Sequence, residues 1–278
     1  GRAAGSGRVA TARTEDIVEM MAGRRVDELY PRSPREPKEV VLDVRDLGGV
    51  GLPERASLEL RRGEVFGIAG LVGSGRTEFC RALFGLDPVR RGTVTLAGFT
   101  GFASPAQRLG QGMGLLSEDR GGEGLALGLS IADNLTLSKM DGLGPRGFVL
   151  PSRMRATATM FIQKLGIVAQ GPGTRVGALS GGNQQKVALA RLLYHDVDVL
   201  LLDEPTRGVD VGSRAAIYQI IDQLALSGKA VLVVSSSVEE LLGISDRIAV
   251  MHKGRLGAAR PASSLDEHSI LLEQSGMT

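Results

Sequence analysis

Between Leu179 and Asp210 the chain reads LSGGNQQKVALARLLYHDVDVLLLDEPTRGVD, and no other stretch constrains its fold as strongly. Val199, Leu200, Leu201 and Leu202 stand directly before Asp203 and Glu204. A short apolar run of this kind predicts a strand buried on both faces, as in a parallel sheet covered by helices. Two adjacent carboxylates at the carboxyl end of such a strand lie at the edge where open α/β sheets bind ligands. That placement suits Asp203 to holding Mg²⁺, directly or through water. It suits Glu204 to polarising the water that attacks a γ-phosphate. Upstream, Ser180-Gly181-Gly182 is a turn opening a helix over Asn183–Tyr194; exposed amides, a hydroxyl and no side-chain bulk fit a phosphate there. Each half alone has a plainer reading. VLLLDEP could be a buried strand ending in a capping Asp, and Ser-Gly-Gly is a common turn.

A second glycine-rich segment follows an apolar strand expected over Glu64–Gly70 and opens a helix running to about Phe84. Gly70, Gly73, Gly75 and Thr77 have the spacing of a phosphate-binding loop, whose backbone amides converge on phosphate oxygens. Thr77 offers a hydroxyl to Mg²⁺. The position that calls for Lys holds Arg76. Arginine keeps the charge, but its planar fork does not replace an ammonium in a tight cradle. A bare strand–helix turn is the plainer reading of this loop; Asp203-Glu204 downstream turns it into a nucleotide site.

The signature-like turn and the carboxylate strand, in this order and at this spacing, resemble the signature sequence and the Walker B motif of the ABC ATPases. Gly208-Val209-Asp210 resembles that family's D-loop. More narrowly, four segments look like the second cassette of bacterial sugar importers whose ATP-binding subunit fuses two ABC cassettes (the ribose, galactose and xylose type). They are Gly70-Leu71-Val72-Gly73-Ser74-Gly75-Arg76-Thr77-Glu78, Ser117-Glu118-Asp119-Arg120, Leu179-Ser180-Gly181-Gly182-Asn183-Gln184, and the run from Asp203 to Gly212.

The resemblance implies an α/β fold of the P-loop NTPase (RecA-like) type. Its parallel-sheet core carries an antiparallel β subdomain and an inserted helical subdomain at about residues 119–173. It covers residues 39–278, and residues 1–38 look like the tail of a preceding cassette and a linker. The same offset that takes Gly1-Arg2 to Gly254-Arg255 takes Ile17 to Ile270 and Gly23 to Gly276, a sparse internal echo of the kind a tandem array leaves.

Function follows from the same resemblance. ATP with Mg²⁺ would be sandwiched between one cassette's P-loop and the other's signature. Ser180, Gly181, Gly182, Asn183 and Gln184, with Asp210, would complete the site of the first cassette. The segment Gly70–Glu78 would bind this chain's own nucleotide, Thr77 and Asp203 its metal, and Glu204 would be catalytic. Three departures bear on that own site. Glu118 stands where the family has Gln, Ser236 where it has His, and the adenine-stacking aromatic is replaced near Leu47. The site is therefore expected to bind nucleotide and turn over poorly. Partners implied are the first cassette of the parent chain, integral membrane permease subunits contacting the helical subdomain, and, indirectly, a periplasmic or lipid-anchored sugar-binding protein. The place implied is the cytoplasmic face of a bacterial plasma membrane.

Composition bounds the alternatives. A net charge of +2 over 278 residues gives no nucleic-acid surface, and one cysteine, Cys80, excludes an internal disulfide and a zinc-cysteine cluster. A DNA-repair or translation ABC ATPase would carry heptad runs, zinc cysteines or basic extensions. A nucleotide-binding regulatory module without hydrolysis is the other alternative: Arg76 and Ser236 favour it, Asp203 and Glu204 oppose it. No apolar run approaches the roughly twenty residues that span a bilayer. Of the three histidines, His195 and His252 read as surface or strand residues and His268 as solvated. Pro31, Pro34 and Pro37 mark the linker.

Overall fold

The computed structural model describes residues 30–277. The internal echo and the short amphipathic segment near Ile17 lie outside these residues. Two sheets organise the chain. The smaller is antiparallel, in the order β2 (Ala56–Arg61), β1 (Val40–Gly49), β4 (Val89–Leu96) and β5 (Phe99–Thr100). The larger has a parallel core of β9 (Arg247–His252), β3 (Val65–Gly70), β8 (Ala230–Ser235), β7 (Val199–Asp203) and β6 (Met113–Leu116). The short strands β10 (Arg255–Leu256) and β11 (Arg260–Pro261) pair antiparallel with β9.

Every residue of β3, β6, β7 and β8 is buried, which is why these segments are unbroken apolar runs rather than alternating ones. Their side chains still part by face. Val199 and Leu201 join a core with the antiparallel sheet and with helix α1 (Arg76–Phe84), through Phe79, Cys80 and Leu83. Leu200 and Leu202 join the opposite core. There they meet α5 (Gly181–His195), which carries the signature, and α6 (Val211–Leu226), after the intervening α2 (Pro105–Gly110), α3 (Ile131–Thr136) and α4 (Pro151–Lys164). Helices α7 (Val238–Ile244) and α8 (Glu267–Ser275) complete that layer.

Register places the chemistry. Leu116 pairs with Leu202, Asp203 with Val234, Ala69 with Ser235, and Gly70 with Met251. The carboxyl ends of β3, β6, β7 and β8 therefore lie on one edge. The loops beginning at Leu71, Ser117, Glu204 and Ser236 all emerge there, as open parallel sheets require of a ligand crevice.

Expected elements recur with shifts. β4 starts at Val89 and follows β1 along its length while exposing Arg90 and Arg91. The signature helix begins at Gly181 rather than Asn183, directly after Ser180. Helix α2, whose Ser104 and Gln107 form a capping box ahead of Pro105, and helix α8 were not expected. Residues 30–37, read as linker, lie against α6 and α7. Tyr30 stacks on Tyr218 with ring centroids 5.3 Å apart, and the Ser33 hydroxyl donates to Asp222 at 2.7 Å. The Arg35 side chain, 2% exposed, reaches Asp222 at 3.4 Å and Asp246 at 3.3 Å and donates to the Ile244 carbonyl at 3.0 Å.

Candidate nucleotide site

Strand β3 is buried up to Gly70 and releases the chain into a loop whose glycines have structural reasons. A Cβ on Gly70 would lie 2.5 Å from the Ser74 hydroxyl and 2.7 Å from the Met251 carbonyl. Gly75, the residue before α1, is left-handed at φ +104° and places no side chain over the helix start. The first amides of α1 are thus open to a ligand at the positive end of the helix dipole.

Val72, Gly73, Ser74, Gly75, Arg76, Thr77 and Glu78 line a cavity of about 230 Å³ with Glu118, Glu204, Arg207 and Ser236. Pockets that enclose a drug-sized ligand run to roughly 300–1,000 Å³. This smaller volume suits enclosed phosphates with the base outside. Three buried polar atoms at this place have no protein partner: Ser74 Oγ, Arg76 Nη1 and Asp203 Oδ1. Buried polar atoms are almost always satisfied, so three such atoms around one phosphate loop fit a polar ligand there. The donor set is chemically consistent with phosphate oxygens and a hard cation. Among the described residues no group of three or more His, Cys, Asp or Glu could hold a metal. Mg²⁺ needs no such cage, since one or two carboxylates with substrate phosphates and water suffice. Asp203, whose carboxyl the nearby Thr77 hydroxyl pulls down against the effect of burial, fits that role.

Burial sets the electrostatics. Asp203 is 1% exposed, and desolvation pushes its pKa up to about 6, against the opposing effect of the Thr77 hydroxyl. Burial also raises Glu204, opposed by the Arg76 charge and by the Ser236 hydroxyl, which donates to Glu204 Oε2 at 3.2 Å. Arg76 folds inward and reaches Glu204 Oε1 at 3.4 Å, and burial draws its own pKa down. Glu204 is left-handed at φ +47°, with its amide donating to Val234 O at 2.9 Å. That conformation costs a non-glycine residue about 1–2 kcal/mol, and it persists where surrounding structure imposes it.

Two residues at this place escaped sequence reasoning. Arg207 forms an ion pair with Glu118 across the cavity mouth. Its only sequence signal was a cation three residues beyond Glu204. Glu240, on α7, is buried behind the site, although it stands beside the exposed Glu239 in a polar helix start. At the expected adenine position, Leu47 is fully buried in the core and offers no platform to a base; the exposed neighbour is Val50.

The signature residues are not among those lining this cavity. Ser180 is exposed before α5, and its hydroxyl accepts from Asn183 Nδ2 at 2.9 Å without capping the helix. Asn183 Oδ1 also accepts from the Val168 amide, and Gln184 donates to the carbonyls of Val176 and Leu179. The Gly181 carbonyl accepts from Arg120 at 2.9 Å. Gly182 is packed so closely that a Cβ would stand 2.6 Å from the Ser213 hydroxyl. Asp210 caps α6 through the Ser213 amide at 3.0 Å.

Comparison with known proteins agrees with this architecture. The chain is 41% identical over 277 residues to a ribose import ATP-binding protein of Geobacillus kaustophilus, covering 99% of this chain and 56% of that protein. It is 44% identical over 250 residues to an arabinose import ATP-binding protein of Burkholderia thailandensis, covering 89% and 48%. It thus spans about half the length of the curated relatives it matches. A nucleotide-free ATP-binding cassette from an ABC transporter superposes with a TM-score of 0.69 at 19% identity, over 80% of this chain and 92% of that one. A dimeric post-hydrolysis cassette bound to ADP and Pi superposes equally well, at 20% identity over 80% and 98%. The ABC transporter family model matches residues 53–207, from the turn after β1 through the P-loop and signature to Arg207. This chain belongs to the ABC transporter family.

Proposed function

We propose that the chain is an ATP-binding cassette that powers import of a monosaccharide-class solute through a membrane permease. The observation that carries this reading is that Ser74 Oγ and Arg76 Nη1, of residues lining the cavity with Glu204, and Asp203 Oδ1, of the residue just before Glu204, are all buried and unpartnered. The solute class rests on the names of the relatives, which are import proteins for ribose and arabinose.

In this reading the loop amides and Ser74 grip the phosphates of ATP. Mg²⁺, when bound, neutralises charge that develops on those phosphates. Thr77 and Asp203 would hold it. Glu204 orients the attacking water and takes its proton, with Ser236 fixing one carboxylate oxygen. Arg76 must leave Glu204 for the phosphates before that carboxylate is free, which supports slow turnover at this site. Ser180, exposed at the start of a 15-residue helix, would complete the nucleotide site of a facing cassette in the same parent chain. Asp210 would stand at that interface.

Further partners follow from the family reading. The permease would dock where α1 and α2 meet the helical insertion, a cavity of about 340 Å³ lined by Leu86, Leu109, Glu123, Arg191 and His195. A solute-binding protein would act through the permease, and no nucleic acid is involved. No helix among the described residues is long and apolar enough to cross a membrane. By the family reading the cassette would work at the cytoplasmic face through that permease. Residues 1–38 would belong to a preceding cassette and its connection, and 39–278 to this cassette.

The test is ATP binding and product formation by the chain, with Glu204→Gln as control. Turnover abolished by Glu204→Gln supports the hydrolytic role; turnover that survives it removes Glu204 from catalysis. A second reading, a nucleotide-binding module that never hydrolyses, is favoured by the Arg76–Glu204 pair. It would show as ATP bound and recovered intact.

A further inference from the structure

Behind the loop that carries Glu204 lies a buried carboxylate with no part in the scheme above. Glu240, in the first turn of α7, is 2% exposed. Its Oε1 accepts from the Thr206 hydroxyl at 2.8 Å, and its Oε2 accepts from the Ser235 hydroxyl. Thr206 stands two residues after Glu204, and Ser235 immediately precedes Ser236. The Ser235 hydroxyl in turn accepts from the Ser237 amide at 3.1 Å, and the Ser237 hydroxyl accepts from the Glu240 amide at 3.2 Å. The Tyr218 hydroxyl on α6 interacts with Glu240 and Thr206.

The cost of this arrangement argues for a purpose. Leucine would fill the same space without desolvating a carboxylate, and a buried acid is tolerated only when its oxygens are satisfied. Here neither oxygen is spent on a nearby cation. Apart from the Tyr218 hydroxyl, each holds one hydroxyl, and these two belong to the two turns whose side chains meet as Ser236 Oγ and Glu204 Oε2.

We propose that Glu240 is a positioning residue that ties the turn after β7 to the turn after β8 through Thr206 and Ser235, and so sets where the Glu204 carboxylate stands. The inference rests on the reading that Glu204 acts on the attacking water. Displacement of a reacting group by about 1 Å costs up to about 100-fold in rate, whereas nucleotide grip resides in the P-loop, which Glu240 does not touch.

The experiment compares the chain with Glu240→Gln and Glu240→Ala. It measures fluorescent-ATP binding, kcat and KM, and amide hydrogen exchange in peptides covering 203–209 and 233–238. Loss of both ties in Glu240→Ala should lower kcat about 10- to 100-fold. KM and nucleotide affinity should stay within about twofold, and exchange should quicken in both peptides with α5 unchanged. Glu240→Gln, which keeps the shape and one acceptor, should recover part of kcat. Unchanged kcat, or a fall in kcat with exchange unchanged, overturns the proposal. If Glu240→Ala does not fold, Thr206→Val and Ser235→Ala each remove one tie and carry the same test. If the unaltered chain, measured without a facing cassette, shows no turnover, kcat is not readable and the hydrolytic reading stands apart from this test. Exchange in the two peptides then decides whether Glu240 ties the turns.

Discussion

Arg35 offers the sharpest quantitative test of how the fold is held. Its guanidinium group lies between Asp222 on α6 and Asp246 at the start of β9, with side-chain exposures of 2%, 5% and 16%. At 3.4 Å and an effective dielectric of 20, a single pair of unit charges attracts by about 5 kcal/mol before desolvation. Taking three charged groups out of water cancels much of that gain, so the intact cluster contributes little net. Deleting the cation alone is different: it leaves the buried Asp222 carboxylate with Ser33 as its partner, while Asp246 keeps Arg32 at 3.7 Å and the Val65 amide at 2.8 Å. Removing one partner of a buried pair costs about 3–5 kcal/mol. Arg35→Ala should therefore lower the urea midpoint by about 1–2 M, taking an m-value of about 2–3 kcal/mol per M. In a double-mutant cycle, Asp222→Ala should recover part of the loss, because the stranded carboxylate is gone. A loss below about 1 kcal/mol, the range of exposed ion pairs, would refute the reasoning and return residues 30–37 to the status of a loose linker.

Other outcomes test the site. Ser180→Ala should change stability by less than about 0.5 kcal/mol, since the hydroxyl caps nothing, yet reduce ATP turnover and transport by the assembled parent protein. Gly182→Ala is the poorer probe of the same role, because its Cβ would collide with Ser213 and unfolding curves should register the damage. Asp203 reverses the usual pH sign. With its folded pKa raised to about 6 by burial, the native state binds a proton the unfolded chain releases near pH 4. Its contribution favours folding below pH 4 and is lost as pH rises through 6, by about 3 kcal/mol in total. Unfolding of the nucleotide-free chain and of Asp203→Asn, compared at pH 4.5 and 7.5, should differ in pH response by about 2 kcal/mol, the part of that change falling between those two values. Parallel curves would place the Asp203 pKa near its ordinary value.

Much of the architecture was legible because one physical cause wrote it. Strands buried on both faces must be apolar throughout, so β3, β7 and β8 announce themselves, and the carboxylates ending β7 stand out against them. The P-loop was legible because close backbone approach admits only glycine at Gly70. What stayed hidden depends on contacts distant in sequence. Glu240 and Glu239 are adjacent in a polar helix start, and only folding buries one and exposes the other. Arg35 sits among prolines and serines that read as linker, and its partners lie about two hundred residues away. Leu47 was read at the end of a strand, but β1 continues to Gly49 and turns that side chain into the core. The capping box of α2 was present as Ser104-Pro105 and Gln107; its helix is six residues, too short for periodicity to reveal.

The left-handed backbone at Glu204 has a consequence for anyone who would improve this protein by stability alone. Glycine relaxes that backbone and asparagine tolerates it, while either would relieve a buried acid of its desolvation. Either change made alone would also strand the buried Arg76 guanidinium, 3.4 Å from Glu204. A search rewarded only for resistance to unfolding would therefore give up glutamate at position 204 only in company with Arg76, and the base proposed for the attacking water would go together with the cation of the phosphate loop.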